Sequence, residues 1–90
     1  MISKSILFYW SKGADIRRKI LLIISKCNKK NKACYLNQIA KELKLTHVAA
    51  KKHIDILLEE GYISQINPEG KPIYLELTKN GNKVILEFKH

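Results

Sequence analysis

Between Leu36 and Ile63 the chain reads LNQIAKELKLTHVAAKKHIDILLEEGYI, and this stretch restricts the fold more than any other. Ile39, Ala40 and Leu43 recur at the spacing of one helical face, Leu45 falls in the break, and Ala50, Ile54 and Leu57 resume the stripe. Thr46 is suited to cap the second segment. Gly61 supplies the residue that most easily takes the positive φ with which helices commonly close. Two short amphipathic helices joined by a tight turn at Lys44-Leu45 are therefore predicted over 37–60, the layout of a helix-turn-helix. The free face of the second helix carries His47, Lys51 and Lys52. With its buried stripe complete and its other face small, polar and cationic, that helix is built to lie against something negatively charged.

Size and charge fit this reading. Ninety residues make one domain, 1–90, and 46% apolar with 8% aromatic residues is the composition of a folded chain. Seventeen basic against eight acidic residues give a formal charge of +9, which favours nucleic acid or another polyanion over a merely solvated lysine-rich surface. The lysine- and isoleucine-rich composition fits an archaeon, an archaeal virus or an AT-rich bacterium. The apolar run Ile6–Trp10 is too short for a signal peptide and no stretch could span a bilayer, so a cytoplasmic protein with no membrane partner is expected. In that compartment Cys27 and Cys34 read as reduced thiols, with a disulfide across the intervening loop as the alternative.

Elsewhere the chain divides simply. Residues 1–13 form a short helix or extended arm, ended by Ser11-Lys12-Gly13. From Ala14 to Cys27 the residues Ile16, Ile20, Ile23, Ile24 and Cys27 mark one face of a helix, with Asp15 in the first turn and Lys26 in the last, as the helix dipole favours. Asn28–Lys32 is a polar, cationic turn; Ala33–Leu36 is extended and leads to Asn37 as an N-cap. After Gly61 the period changes to two, and Asn67-Pro68-Glu69-Gly70 separates two strands of a hairpin over 62–77, Pro72 lying at its edge. Thr78 caps a final helix, 79–89, with Val84, Ile85 and Phe88 on its apolar side and Leu86 beside them. Gly81 is expected to weaken that helix by up to about 1 kcal/mol relative to alanine. The fold class is α+β, mostly helical: a three-helix core, a two-stranded hairpin and a C-terminal helix.

From Asp15 to about Phe88 this order resembles the winged helix-turn-helix of small prokaryotic and archaeal transcription regulators. AKKHIDILLEEGYI is similar to the recognition-helix signature of the arsenical-resistance and multiple-antibiotic-resistance repressors, the ArsR/MarR-like superfamily, with His53, Ile54, Leu57 and Gly61 in the matching places. YLELTKNGNKVI resembles the end of their wing, and ADIRRKILLII their first core helix. The resemblance implies a DNA-binding transcription regulator, read as a repressor. Metal-sensing relatives carry a close cysteine pair near the recognition region or His and carboxylate clusters on the last helix. Here Cys27 and Cys34 lie outside the motif and the last helix offers Glu87 and His90 alone, so neither metal nor cofactor is expected.

With the second helix in the major groove of double-stranded DNA, Thr46, His47, Val48, Ala49, Lys51 and Lys52 are the expected contacts, the lysines to guanine edges or phosphates and Val48 and Ala49 to thymine methyls. Lys71 at the hairpin tip is expected on phosphate. Arg17 and Arg18, assigned to the polar side of the first core helix, are divided between flanking phosphate and pairing with Asp15 or another acid. His53, one turn on, reads as partly buried rather than as a base reader. The arm and last helix, through Ile6, Leu7, Phe8, Tyr9, Trp10, Val84, Ile85 and Phe88, exceed the needs of so small a core and are expected to form a homodimer interface. A small molecule could bind there, though nothing in the sequence demands it. Two other classes stay open: an architectural protein that coats DNA with little sequence preference, and a winged helix used for protein interaction. No Ser–His–acid or Cys–His set and no phosphate-cradling glycine loop points to an enzyme.

Overall fold

The computed structural model describes residues 2–32, 34–67 and 73–88. A single π-helical turn, Ile6–Trp10, precedes α1 (Ala14–Lys29). There follow β1 (Cys34–Tyr35), α2 (Leu36–Glu42), α3 (His47–Glu59), β2 (Ile63–Gln65), β3 (Tyr74–Leu77) and α4 (Lys79–Phe88). The order is that read from the period of the sequence. The hairpin is part of a three-stranded antiparallel sheet, β1-β3-β2, in which Cys34 faces Leu75 and Ile63 faces Leu77. The short extended piece before α2 is thus the outer strand of the wing, and it hands the chain directly to the helix-turn-helix. Asn28 extends the same edge by accepting a 3.0 Å bond from the Leu77 backbone N–H.

The core lies between α1, α3 and the sheet: Ile20, Leu21, Ile24, Ile39, Ala50, Ile54, Leu57, Ile63 and Leu75 are fully buried. Leu7 and Phe8 join them, as do Val84 and Ile85. This corrects their assignment to an interface between chains. The π-helical turn folds back onto α1 and α4, and Phe8 packs edge-on against Tyr62 and Phe88 with ring centroids 5.1 and 5.3 Å apart. Five of the eight apolar residues assigned to that interface, Leu7, Phe8, Val84, Ile85 and half-buried Phe88, are therefore used inside the protomer. Ile6, Tyr9 and Trp10 remain on the surface, Trp10 at 82% exposure.

Local capping follows the chemistry of the cap residues with one exception. Thr46 Oγ1 accepts from the Ala49 N–H at 3.1 Å, and Thr78 Oγ1 accepts from the Gly81 N–H at 3.2 Å. The Thr78 hydroxyl also donates to the Gly61 carbonyl at 2.6 Å, so one side chain joins the end of α3 to the start of α4. Gly61 takes φ +82°, as the closing position of α3 requires. The exception is Asn37. The helix begins two residues earlier, behind extended Tyr35 with no side-chain cap, and Asn37 lies inside its first turn. Gly81 is also not merely a weak helix residue: it is buried and packs directly on the Tyr62 carbonyl.

Both cysteines are buried and free. Burial, followed by the neighbouring Cys27 thiol, pushes the Cys34 thiol well above the ordinary range, so its neutral form is favoured.

Candidate nucleic-acid interface

The helix-turn-helix is closed by a turn in which Lys44 takes φ +55° and the Leu45 N–H bonds the Ala40 carbonyl at 2.9 Å. That turn aims α3 across α2. Ala50, Ile54 and Leu57 face the core, which leaves His47, Val48, Lys51, Lys52, Asp55 and Glu59 exposed on the other side. Val48 is 77% exposed. Ala49 is half-buried.

Two bonds shape the free face. His47 Nδ1 meets Asn37 Oδ1 at 2.9 Å, which joins the first turns of α2 and α3. With the amide oxygen accepting, Nδ1 is the donor. Sequence reasoning missed this use of Asn37, because the residue type fits an N-cap and only the crossing of two helices brings His47 to it. Lys51 Nζ pairs with Asp55 at 2.8 Å, both ends about half exposed. An exposed i,i+4 pair of this kind contributes about 0.3–0.5 kcal/mol, so a phosphate or base edge can displace the carboxylate at little cost. No ion pair holds Lys52 among the described residues.

The order of charge along α3 runs against helix stability. Lys51 and Lys52 lie in its first half, Asp55, Glu59 and Glu60 toward its end, while the dipole favours acids first and cations last. Helix stability alone does not account for that order. The Thr46 cap holds this end in place. Thr46→Ala is expected to cost about 1 kcal/mol and to lower the melting temperature by about 4–8 °C, with calorimetry as the check.

Arg17 is not on a polar face. It falls on the Ala14, Leu21, Ile24 line of α1 and is 5% exposed. Its Nε donates to the Leu7 carbonyl at 2.7 Å, Nη1 donates to His53 Nδ1 at 3.2 Å, and Nη2 donates to Ser11 Oγ. The guanidinium therefore joins the N-terminal turn, α1 and α3 from inside, and the expectation of a phosphate contact is corrected for it. Its place on the buried line was visible in the sequence spacing; charge was the misleading signal. Arg18 is half-buried, donates to the Phe8 carbonyl, pairs with Asp15 at 3.1 Å and lies over the Tyr9 ring at 5.6 Å. It pairs with the acid that sequence reasoning offered as an alternative. Lys71, the hairpin-tip contact, and Pro72 and His90 lie outside the described residues.

His53 is half-buried, as expected, and its ring accepts from Arg17. Burial first, then Arg17 and Lys52, holds its pKa below the usual histidine value. The neutral ring is the folded form. Its contribution to stability is complete above the unfolded value near 6.5 and is lost as pH falls from there through the lower folded value. Melting curves at pH 7.5 and 5 should show a larger drop for the parent chain than for His53→Gln. Equal drops would place the acid sensitivity elsewhere.

No protein-family model and no curated protein sequence matches the chain. Among solved structures, the adhesin competence repressor AdcR of Streptococcus pyogenes superposes with a TM-score of 0.68 at 20% identity, over 84% of this chain and 55% of its own length. A mutant form of ZitR from Lactococcus lactis superposes with a TM-score of 0.66 at 21% identity, over 83% of this chain and 49% of its own. The chain thus spans about half the length of these structures. Both are MarR-family regulators, and at such identity what they share with this protein is the winged helix-turn-helix fold. No helix among the described residues is long and apolar enough to cross a membrane.

Proposed function

We propose that this protein is a DNA-binding transcription regulator, acting as a repressor, which sets the first half of α3 in the major groove as a homodimer. The observation that carries the reading is the free face of that half-helix. His47, Val48, Lys51 and Lys52 project together from a helix whose apolar stripe is already spent on the core. A lysine pair, an imidazole and an isolated valine match what a major groove offers: guanine acceptors, polar base edges and thymine methyls. The winged-helix fold shared with a named repressor supports the same reading.

Dimerisation rests on the surface left over after folding. Ile6, Tyr9 and Trp10 on the N-terminal turn are exposed, and Leu86 is exposed on α4, to which the Lys4–Glu87 ion pair at 2.7 Å ties the N-terminal segment. Two chains joined there present two recognition helices to half-sites about 34 Å apart, one turn of DNA.

The test is binding of purified protein to random 30-base-pair duplexes and to a pool enriched by selection, across a salt series. A steep linear fall of log affinity with log salt, and enrichment of a palindrome, support the regulator. Equal affinity for selected and random DNA favours the architectural protein instead, and no binding at low salt favours the protein-interaction module. Light scattering on the same sample should give the mass of two chains. Trp10→Glu should reduce it to one.

A further inference from the structure

Four lysines occupy the seven residues from Lys26 to Lys32, with no acid among them. Lys26 and Lys29 lie in the last turn of α1, where the helix dipole accounts for them. Lys30, the C-cap, still lies at the negative end of the dipole, but Lys32 lies past the helix and has no such reason. The loop that carries them is fixed: the backbone N–H groups of Lys30 and Lys32 both bond the Cys27 carbonyl, at 3.1 and 3.0 Å, and Asn31 turns the chain with φ +54°. Every ion pair among the described residues uses other cations, and the nearest acid named at this loop is Glu42, on the wall of the recess beside it.

Lys26, Lys30 and Lys32 rim a recess of about 180 Å³ whose far wall is α2, through Gln38 and Glu42. Gln38 reaches across to the Cys27 sulfur at 3.8 Å. Its neighbour Asn37 holds His47 of α3. The cationic loop is therefore one helix away from the groove-reading face, against the helix that in this motif crosses the DNA backbone while the next one enters the groove.

We infer that the α1–β1 loop is a second DNA-contacting surface, in which Lys30 and Lys32, with Lys26 behind them, bind backbone phosphates flanking the site read by α3. The inference rests on the DNA-binding reading above and deepens it. Lysines on a fixed loop act as point charges on phosphate: they set affinity and salt dependence and leave base discrimination to α3.

Lys30→Gln/Lys32→Gln is compared with the parent chain and with Lys79→Gln/Lys83→Gln, an exposed pair on α4 that removes the same charge. Selected and random duplexes are titrated with all three proteins from 0.05 to 0.3 M salt, ranges of the order at which such contacts are resolved. The loop variant should bind both duplexes roughly ten- to thirtyfold more weakly near 0.15 M, with the log–log salt slope smaller by about 2 and the selected-to-random ratio unchanged. The α4 variant should stay within about twofold of the parent, and melting should be the same for all three. Parent-like affinity and slope in the loop variant would overturn the inference while leaving the recognition-helix reading intact. Equal weakening by both variants would also overturn it, since net charge would then be the cause. A parent chain that binds no DNA at low salt removes the underlying reading as well, which separates the two failures.

Discussion

Gly81→Ala is expected to melt about 5–15 °C below the parent chain. A Cβ at position 81 would lie 2.1 Å from the Tyr62 carbonyl oxygen and 3.2 Å from its carbon. The obstacle is backbone, and it is held from both sides, by the Thr78 N–H on the Tyr62 oxygen at 3.1 Å and by the Thr78 hydroxyl on Gly61. Relief requires α4 to shift away from the end of α3 and the start of β2. Overpacking of this kind costs about 1–3 kcal/mol or more, against the up to about 1 kcal/mol that alanine returns in helix propensity. Gly61→Ala is the useful contrast, because nothing lies within 4 Å of a Cβ there and the cost is conformational, from φ +82°. It should cost about 1–2 kcal/mol, and Gly61→Asn less. A Gly81→Ala protein that melts within a couple of degrees of the parent would mean that α4 does not pack on Tyr62 this closely.

The second large effect is on binding. Lys51→Ala/Lys52→Ala should weaken binding to a selected duplex by about a hundredfold or more at moderate salt. Part is lost phosphate attraction, seen as a salt slope smaller by up to about 2, and part is lost base contact at about 1–3 kcal/mol for each good pair. Random DNA should lose only the first part, so the selected-to-random ratio should fall. Removing Lys51 also releases Asp55, now an unpaired acid on the same face. Adding Asp55→Asn separates that repulsion from the loss of the lysines, and the triple variant should recover part of the affinity on both duplexes. Folding should be almost unchanged, since the Lys51–Asp55 pair is exposed. If the double variant binds selected DNA as the parent does, α3 is not the reading helix.

The two variants probe different kinds of information. Whatever the helix-turn-helix needs within a few residues was legible in the sequence. The Ala50, Ile54 and Leu57 stripe, the Thr46 and Thr78 caps and the closing Gly61 all act through neighbours three or four residues away, and each is where the residue type and spacing put it. The cationic half of α3 is legible for the same reason, since the buried stripe fixes which side chains are left outside. Arg17 was assigned to the polar side on its charge, although its spacing from Ile20 and Ile24 is that of the buried stripe.

What the chain order could not supply is every relation made by distant segments. Only the folded arrangement pairs β1 with β3, seats Leu7 and Phe8 under α4, gives Arg17 three acceptors inside the protein, turns Asn37 from a cap into the partner of His47, and presses Gly81 onto Tyr62. Local spacing determines which face of an element is apolar, because that depends on the helical or strand period alone. Which apolar face meets which, and whether a polar or small residue finds a partner there, depends on how several elements fill one volume. In this protein that division falls between the helix that reads as the DNA contact, visible from its own thirteen residues, and the packing of the N-terminal turn and α4 that holds it, visible only in three dimensions.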